Sequence, residues 1–321
     1  VEDAHHWTAD QVRAAAGVQA GDLYRAGLAE NMRATLLAAY RAAGFSDVRV
    51  RVSATTDAAS ETVGLTVMVK EGRRQLLRGV EVDGAPRTNP ALVQRALRLE
   101  PGTPVDPAAW NQARKRLYDT GVFRSVDITA VPVEEVAGAD SGGTDQPVVA
   151  RVALEEWPLY RLRYGLQVID EQAPAGEADS RGQVGVVADL TRQNLFGRGI
   201  TLGTAARSDT VQQAGRGFMV FPTFLGQAIK SNLFLSQLRE TFGSAGNKTI
   251  SQRRRLTLEQ QLKPQDGLTL SYSYNFERNH TFAADFDPNN PFAFDLTVDV
   301  ARLSTSAVME RRDDLFDATR G

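Results

Sequence analysis

The chain repeats itself, and that constrains it more than any other feature. Residues 92–130 run LVQRALRLEPGTPVDPAAWNQARKRLYDTGVFRSVDITA, and residues 11–52 run QVRAAAGVQAGDLYRAGLAENMRATLLAAYRAAGFSDVRVRV. Tyr40, Phe45, Val48 and Val50 correspond to Tyr118, Phe123, Val126 and Ile128 at an offset of 78, and Gly21 to Gly102 at 81. A recurring segment of this length is one supersecondary unit used twice, so any fold must accommodate two copies of one small module.

Each copy has the same local logic. Thr8 and Thr88 stand where a side-chain oxygen caps a short helix, and Pro90 sits early in its helix, where a missing N–H costs nothing. Ala20-Gly21 and Pro101-Gly102 turn the chain into a second helix. There Met32, Leu36, Ala39 and Tyr40 in one copy, and Trp110, Ala113, Leu117 and Tyr118 in the other, give the spacing of a one-faced helix. Gly44 and Gly121 supply the left-handed residue that ends it. Alternating strands follow, from Val48 and Val126 and then through Leu65–Val69 and Val149–Leu154, and the second copy also opens with a strand over Leu76–Val82. The module is β-α-α-β-β. The leading strand of the first copy would lie before Val1, and the chain opens without Met or a secretory signal, so a fragment is expected.

The run RGVEVDGAPRTNPALVQRALRLEPGTPVDPAAWNQARKRLYDTGVFRSVDI closely resembles a polypeptide-transport-associated (POTRA) domain: a PG turn, a helix ending in Leu-Tyr-x-x-Gly-x-Phe, then a Val-rich strand. The first copy is a more divergent match.

From Trp157 onward helical periodicity gives way to alternating strands. The clearest is Leu268-Thr-Leu270-Ser-Tyr272-Ser-Tyr274-Asn-Phe276-Glu, with apolar or aromatic residues at every second position. Eight strands are expected, over 159–169, 183–193, 199–209, 215–224, 228–241, 250–263, 267–280 and 295–310. Compact turns follow the even-numbered ones, at Asn194–Gly199, Leu225–Gln227, Pro264–Gly267 and Asp313–Gly321, and polar, mostly longer loops follow the odd ones. That alternation is the pattern of a membrane β-barrel, not of an open soluble sheet.

DLTRQNLFGRG at 189–199 and RRDDLFDATRG at 311–321 resemble periplasmic turns of the bacterial surface antigen barrel that follows POTRA domains in the outer-membrane assembly-factor superfamily, the BamA and TamA group. The expected fold is α+β POTRA modules at 1–73 and 74–157, then antiparallel transmembrane β-barrel strands at 158–321, about eight of the sixteen that the resemblance implies. Its turn residues are Asn194, Leu195, Phe196, Gly197, Gly199, Arg312, Asp313, Arg320 and Gly321.

Composition excludes several chemistries. With no Cys, disulfides, zinc–thiolate sites and thiol nucleophiles are absent. A net charge of -2 from 37 basic and 39 acidic residues gives no reason to expect nucleic acid. No apolar run approaches the ~20 residues of a membrane helix. No nucleophile elbow, zincin motif or phosphate loop occurs, so the chain is not expected to be an enzyme or to carry a cofactor. His5-His6 and His280 lack the further ligands a metal needs, and Asp285–Asn290 fits no standard calcium spacing, whereas Arg253-Arg254-Arg255 suits either anionic lipopolysaccharide or plain solvent.

An unpaired strand edge binds another extended chain with little regard for its sequence. The resemblance implies such client-binding edges at Val48, Val50 and Val52 and at Val126, Ile128 and Ala130. It also implies a weak barrel seam along the first strand, at Tyr160, Leu162, Tyr164, Leu166 and Val168. The function it implies is an outer-membrane protein assembly factor that captures unfolded β-barrel clients by β-augmentation and inserts them through the seam. Its partners would be unfolded outer-membrane proteins, outer-membrane lipid and periplasmic accessory proteins, with the modules in the periplasm. A two-partner-secretion-type exporter using the barrel lumen and a passive structural barrel are the alternatives.

Overall fold

Residues 6–57, 61–133, 145–171, 181–224, 227, 229–244, 247–265, 267–286 and 293–311 are described in a computed structural model. They divide into two units, Val1–Pro86 with Pro90–Asp119 and Phe123–Glu156, and Arg87–Asn89 with Thr120–Val122 and Trp157–Gly321. The expected turn containing Arg312, Asp313, Arg320 and Gly321 lies outside the described residues, as does His5.

In the first unit, helix α1 (Ala9–Ala16) starts on a capping box. Gln11 N donates to Thr8 Oγ1 at 3.3 Å and Thr8 N donates to Gln11 Oε1 at 2.9 Å, satisfying two amides that a helix start leaves open. Helix α2 (Leu28–Ala42) buries Met32, Leu36 and Tyr40 against the antiparallel pair β1 (Arg49–Asp57) and β2 (Thr62–Lys70). Val12, Phe45, Val48, Val50, Val67 and Val69 complete this core, with Trp7 stacked 4.3 Å from the Tyr40 ring.

The second module is β3 (Arg74–Asp83), α3 (Pro90–Leu97), α4 (Pro107–Asp119), β4 (Phe123–Pro132) and β5 (Asp145–Glu156). Its sheet order is β3-β5-β4, with β3 parallel and β4 antiparallel to β5. A parallel pair needs a long crossover, which both helices and β4 supply. Arg116 on α4 donates to Ala96 O and Leu97 O, each at 2.7 Å, closing the last carbonyls of α3.

Tyr118, expected on the buried helix face, is 43% exposed instead, while its repeat counterpart Tyr40 is fully buried. The buried positions of α2 step by four residues (32, 36, 40), but those of α4 run Trp110, Ala113 and Leu117. Starting from equivalent positions, the second helix is thus rotated so that Leu117 takes the inward place and turns its neighbour out.

Two features of the first unit are directly testable. Gly44 holds φ +98°, its carbonyl accepts from Gln75 N at 2.8 Å, and a Cβ there would lie 2.7 Å from Gln75 O. Gly44→Ala should therefore destabilise this unit by about 1–3 kcal/mol, seen as a lower urea midpoint for its unfolding. The Tyr40 hydroxyl is buried, and burial, followed by the neighbouring Glu71 carboxylate, pushes its pKa up to about 12. The folded state holds this proton more tightly than the unfolded chain. The contribution is therefore complete below about pH 10 and is lost as pH rises toward 12, by roughly 3 kcal/mol. Tyrosinate absorbance should show one late-titrating group that vanishes in Tyr40→Phe.

The second unit is an antiparallel meander of eight described strands: β6 (Tyr160–Glu171), β7 (Arg181–Leu195), β8 (Ile200–Ser208), β9 (Gln212–Phe221), β10 (Ile229–Ser244), β11 (Asn247–Gln265), β12 (Leu268–Ala283) and β13 (Asp295–Met309). Each strand pairs with its sequence neighbours, leaving β6 and β13 at the two edges of an open sheet. The eight strands fall where alternation predicts them, but most run further at their hairpin ends: β11 reaches 19 residues. Backbone pairing continues past the expected ends through Phe242–Ser244 and Asn247–Thr249, where the alternation has already ended.

Candidate functional site

Strand parity decides which backbone groups remain open. In the second module Val133 N donates to Pro147 O at 3.0 Å, so the odd-numbered residues of β4 point their amides at β5. The even-numbered ones, Val126, Ile128 and Ala130, therefore aim N–H and C=O away from the sheet. Val126 N is taken by Tyr118 Oη at 3.1 Å, and Pro132 has no N–H, which leaves Ile128 and Ala130 as the donors on this side without a partner among the described residues. The opposite edge, β3, is covered over its first part: Leu77 N bonds Thr103 O, Gly102 N bonds Leu77 O, and Val105 N bonds Gln75 O. The helix-connecting turn thus takes up the outward groups of Gln75 and Leu77.

The first module repeats the arrangement. Val48 N donates to Phe45 O at 3.4 Å, and at the repeat offset Val50 and Val52 match Ile128 and Ala130. The side chains of Val48, Val50, Val126 and Ile128 are buried in their module cores, Val52 is half-buried and Ala130 is exposed. The predicted edge residues therefore offer backbone, not side chain, and Asp127 and Thr129 are the exposed neighbours on β4.

Parity works the same way on β6. Gln193 N donates to Leu159 O at 2.7 Å, so odd residues bond β7. The open edge then carries the backbone of Tyr160, Leu162, Tyr164, Leu166 and Val168, whose side chains line one face and are 57% to 83% exposed.

The two faces of the large sheet differ in chemistry. One carries that β6 row together with Val184, Val186, Leu190, Leu235, Leu256, Tyr274, Phe276 and Leu303. The other carries paired polar groups: Arg163 Nε with Asp189 Oδ2 at 2.7 Å, Arg255 Nε with Glu277 Oε2 at 2.8 Å, and Thr257 Oγ1 with Asn275 Oδ1 at 2.7 Å. Arg253-Arg254-Arg255, one patch in the sequence, is split by the pleat. Arg253 and Arg255 turn to Glu277 on the polar face, and Arg254 to the apolar one.

The apolar zone crosses the strands obliquely. A single cross-strand row contains Leu162, Leu190, Thr204, Gly217, Leu235, Leu256, Phe276 and Ala301. On β12 the apolar run, positions 268 to 276, ends in that row, whereas on β6 the run from 160 to 168 continues three same-face positions beyond it. That is one residue per strand over six strand steps. A climb of about 3.3 Å per step of about 4.8 Å inclines the zone by about 35°, the tilt of strands in a closed barrel.

The turn between β7 and β8 is built on side-chain bonds. Asn194, at φ +52°, is buried, accepts from Gly199 N at 2.9 Å through Oδ1 and donates to Thr88 Oγ1 at 2.9 Å. Gly197 O accepts from Asn89 N at 2.9 Å, and a Cβ on Gly197 would come within 3.0 Å of Arg87 O and Asn89 N. Leu195 is half-buried and Phe196 is 78% exposed. The hydroxyl of Thr88 has a role in this turn that its place before α3 did not announce.

Comparison with known proteins agrees with this geometry. The POTRA family model, surface antigen variable number repeat, matches residues 3–72 and 76–151. Both modules are therefore similar to POTRA repeats. It is 25% identical over 177 residues to the outer membrane protein assembly factor BamA of Neisseria meningitidis, covering 55% of this chain and 20% of that protein. The crystal structure of BamA from Haemophilus ducreyi lacking POTRA domains 1–3 matches with a TM-score of 0.58 at 15% identity, over 100% of this chain and 60% of that one. CdiB from Acinetobacter baumannii matches with a TM-score of 0.48 at 12% identity, over 92% and 58%. The chain thus spans a fifth of the curated relative, and its eight-stranded sheet corresponds to part of the BamA barrel.

Because the chain has no cysteine of its own, single cysteines report edge orientation cleanly. Asp127→Cys and Thr129→Cys should react with a maleimide at least roughly tenfold faster than Val126→Cys and Ile128→Cys. Equal rates would contradict the assigned parity of β4.

Proposed function

We propose that this chain is part of an outer-membrane protein assembly factor whose POTRA strands capture unfolded β-barrel clients and whose barrel seam passes them into the bilayer. The supporting observation is the open β4 edge. Ile128 and Ala130 aim backbone groups outward that have no partner among the described residues, while the start of the opposite edge, at Gln75 and Leu77, is covered. A client segment adds there as a further strand, reading little sequence because the contact is main chain to main chain. The tilted apolar zone faces lipid, the polar face lines the barrel interior, and the modules lie in the periplasm.

At the seam, β6 presents a second set of outward backbone groups along Tyr160–Val168. A client strand templated there leaves the barrel laterally. Its own apolar face enters lipid favourably, so no nucleotide, cofactor or catalytic residue is required. Accessory periplasmic proteins are expected partners of such a machine. The paired polar face around Arg163–Asp189 and Arg255–Glu277 favours a second reading, an exporter that passes its client through the lumen.

The test uses the full-length protein and an unfolded outer-membrane protein. Ala130→Pro removes one outward N–H at an edge position that tolerates proline, and should lower client binding by roughly tenfold without changing far-UV dichroism. Ala130→Val should bind normally. Unchanged binding by the proline variant would reject edge capture. Client photocrosslinks from Leu162 support the seam, and crosslinks confined to polar-face positions such as Asn275 would favour export.

A further inference from the structure

Just beyond the apolar zone on the same face, two arginines stand without a counter-charge. The row after Leu235–Leu256–Phe276–Ala301 reads Gln237, Arg254, Arg278, Asp299, and the next reads Gln213, Arg239, Gln252, His280, Thr297. Arg278 is neutralised by a two-point pair with Asp299 at 2.7 and 2.8 Å, and His280 lies 2.6 Å from Asp295. The side chains of Arg239 and Arg254 are exposed and have no ion pair or hydrogen bond among the described residues.

Their surroundings intensify this. Arg254 sits directly across from Arg278, whose charge Asp299 already takes up, so that carboxylate is engaged away from Arg254. Arg239 is diagonal to Arg254, within reach of a long side chain, and the amides of Gln213, Gln237 and Gln252 frame the pair. Immediately toward the compact-turn end lie Leu235, Leu256, Leu233 and Leu258. A ligand fitting both zones has a negative head and apolar tails.

We propose that Arg239 and Arg254 form a head-group site for an anionic phosphorylated lipid, with its acyl chains over the leucines of β10 and β11. Guanidinium forks match phosphate oxygens geometrically, and the site lies at the end of the apolar zone away from the compact turns, the level of outer-leaflet head groups. The inference rests on the membrane reading of the sheet and is independent of client handling.

Native mass spectrometry of the full-length protein in detergent, offered phosphatidylglycerol or phosphatidylcholine with identical acyl chains, tests it. The wild type should retain the anionic lipid over the zwitterionic one by on the order of tenfold. Arg239→Gln with Arg254→Gln should erase that preference and keep phosphatidylcholine retention, whereas Arg239→Lys with Arg254→Lys should preserve it. Arg253→Gln with Arg255→Gln, on the polar face, should also preserve it. Heat-shifted electrophoretic mobility reports that each variant is folded. A preference persisting in the glutamine pair, its loss in a folded lysine pair, or displacement of the lipid by millimolar inorganic phosphate would overturn the site. Retention of neither lipid would overturn the membrane reading beneath it.

Discussion

An extended strand has two sides, and every backbone N–H and C=O on each needs a partner. That requirement organises both units. In the large sheet each strand from β7 to β12 is paired on both sides, and in the second module β5 lies between β3 and β4 while a helix-connecting turn covers the start of β3. What remains is confined to strand edges. There a single parity choice does two things at once. The residues whose side chains fill a core or line an apolar face are the same ones whose backbone points outward.

Hence the open edge and the stability of the module are not separate features of β4. Val126 and Ile128 fix the strand on α4 through their side chains and leave the edge geometry rigid. The chain manages the exposure: Tyr118 occupies the first outward amide, Phe45 O does the same for Val48, and Pro132 removes another. The open stretch is short, which limits edge-to-edge aggregation. On β6 the same parity places an apolar row beside an open edge, and the oblique course of that row matches the tilt a closed barrel imposes.

Much of this was legible in the sequence because two periodicities are strong. Repetition at the 78-residue offset revealed the modules, and alternation from Trp157 onward revealed eight strands and the alternation of their connections. What was not legible depends on rotation and on partners distant in sequence. Tyr40 and Tyr118 occupy equivalent positions, yet one is buried and the other caps an edge amide, a difference set by which face each helix packs. Strand ends were missed where the ladder continues past the alternation. Asn194 read as a turn residue, but its bond to Thr88 spans 106 positions. Three adjacent arginines read as one patch, and only the pleat separates Arg254 from its neighbours.

The central claim is that the outward amides of β4 stand unpaired until a client strand arrives. Residue-resolved hydrogen exchange in the full-length protein, with and without an unfolded outer-membrane polypeptide, measures this directly. Edge capture requires Ile128 and Ala130 to exchange fast alone while Asp127 and Thr129 exchange slowly, with the polypeptide slowing the even-numbered pair selectively. Uniformly slow exchange along β4, or fast exchange at Ile128 and Ala130 that the polypeptide leaves unchanged, would contradict it.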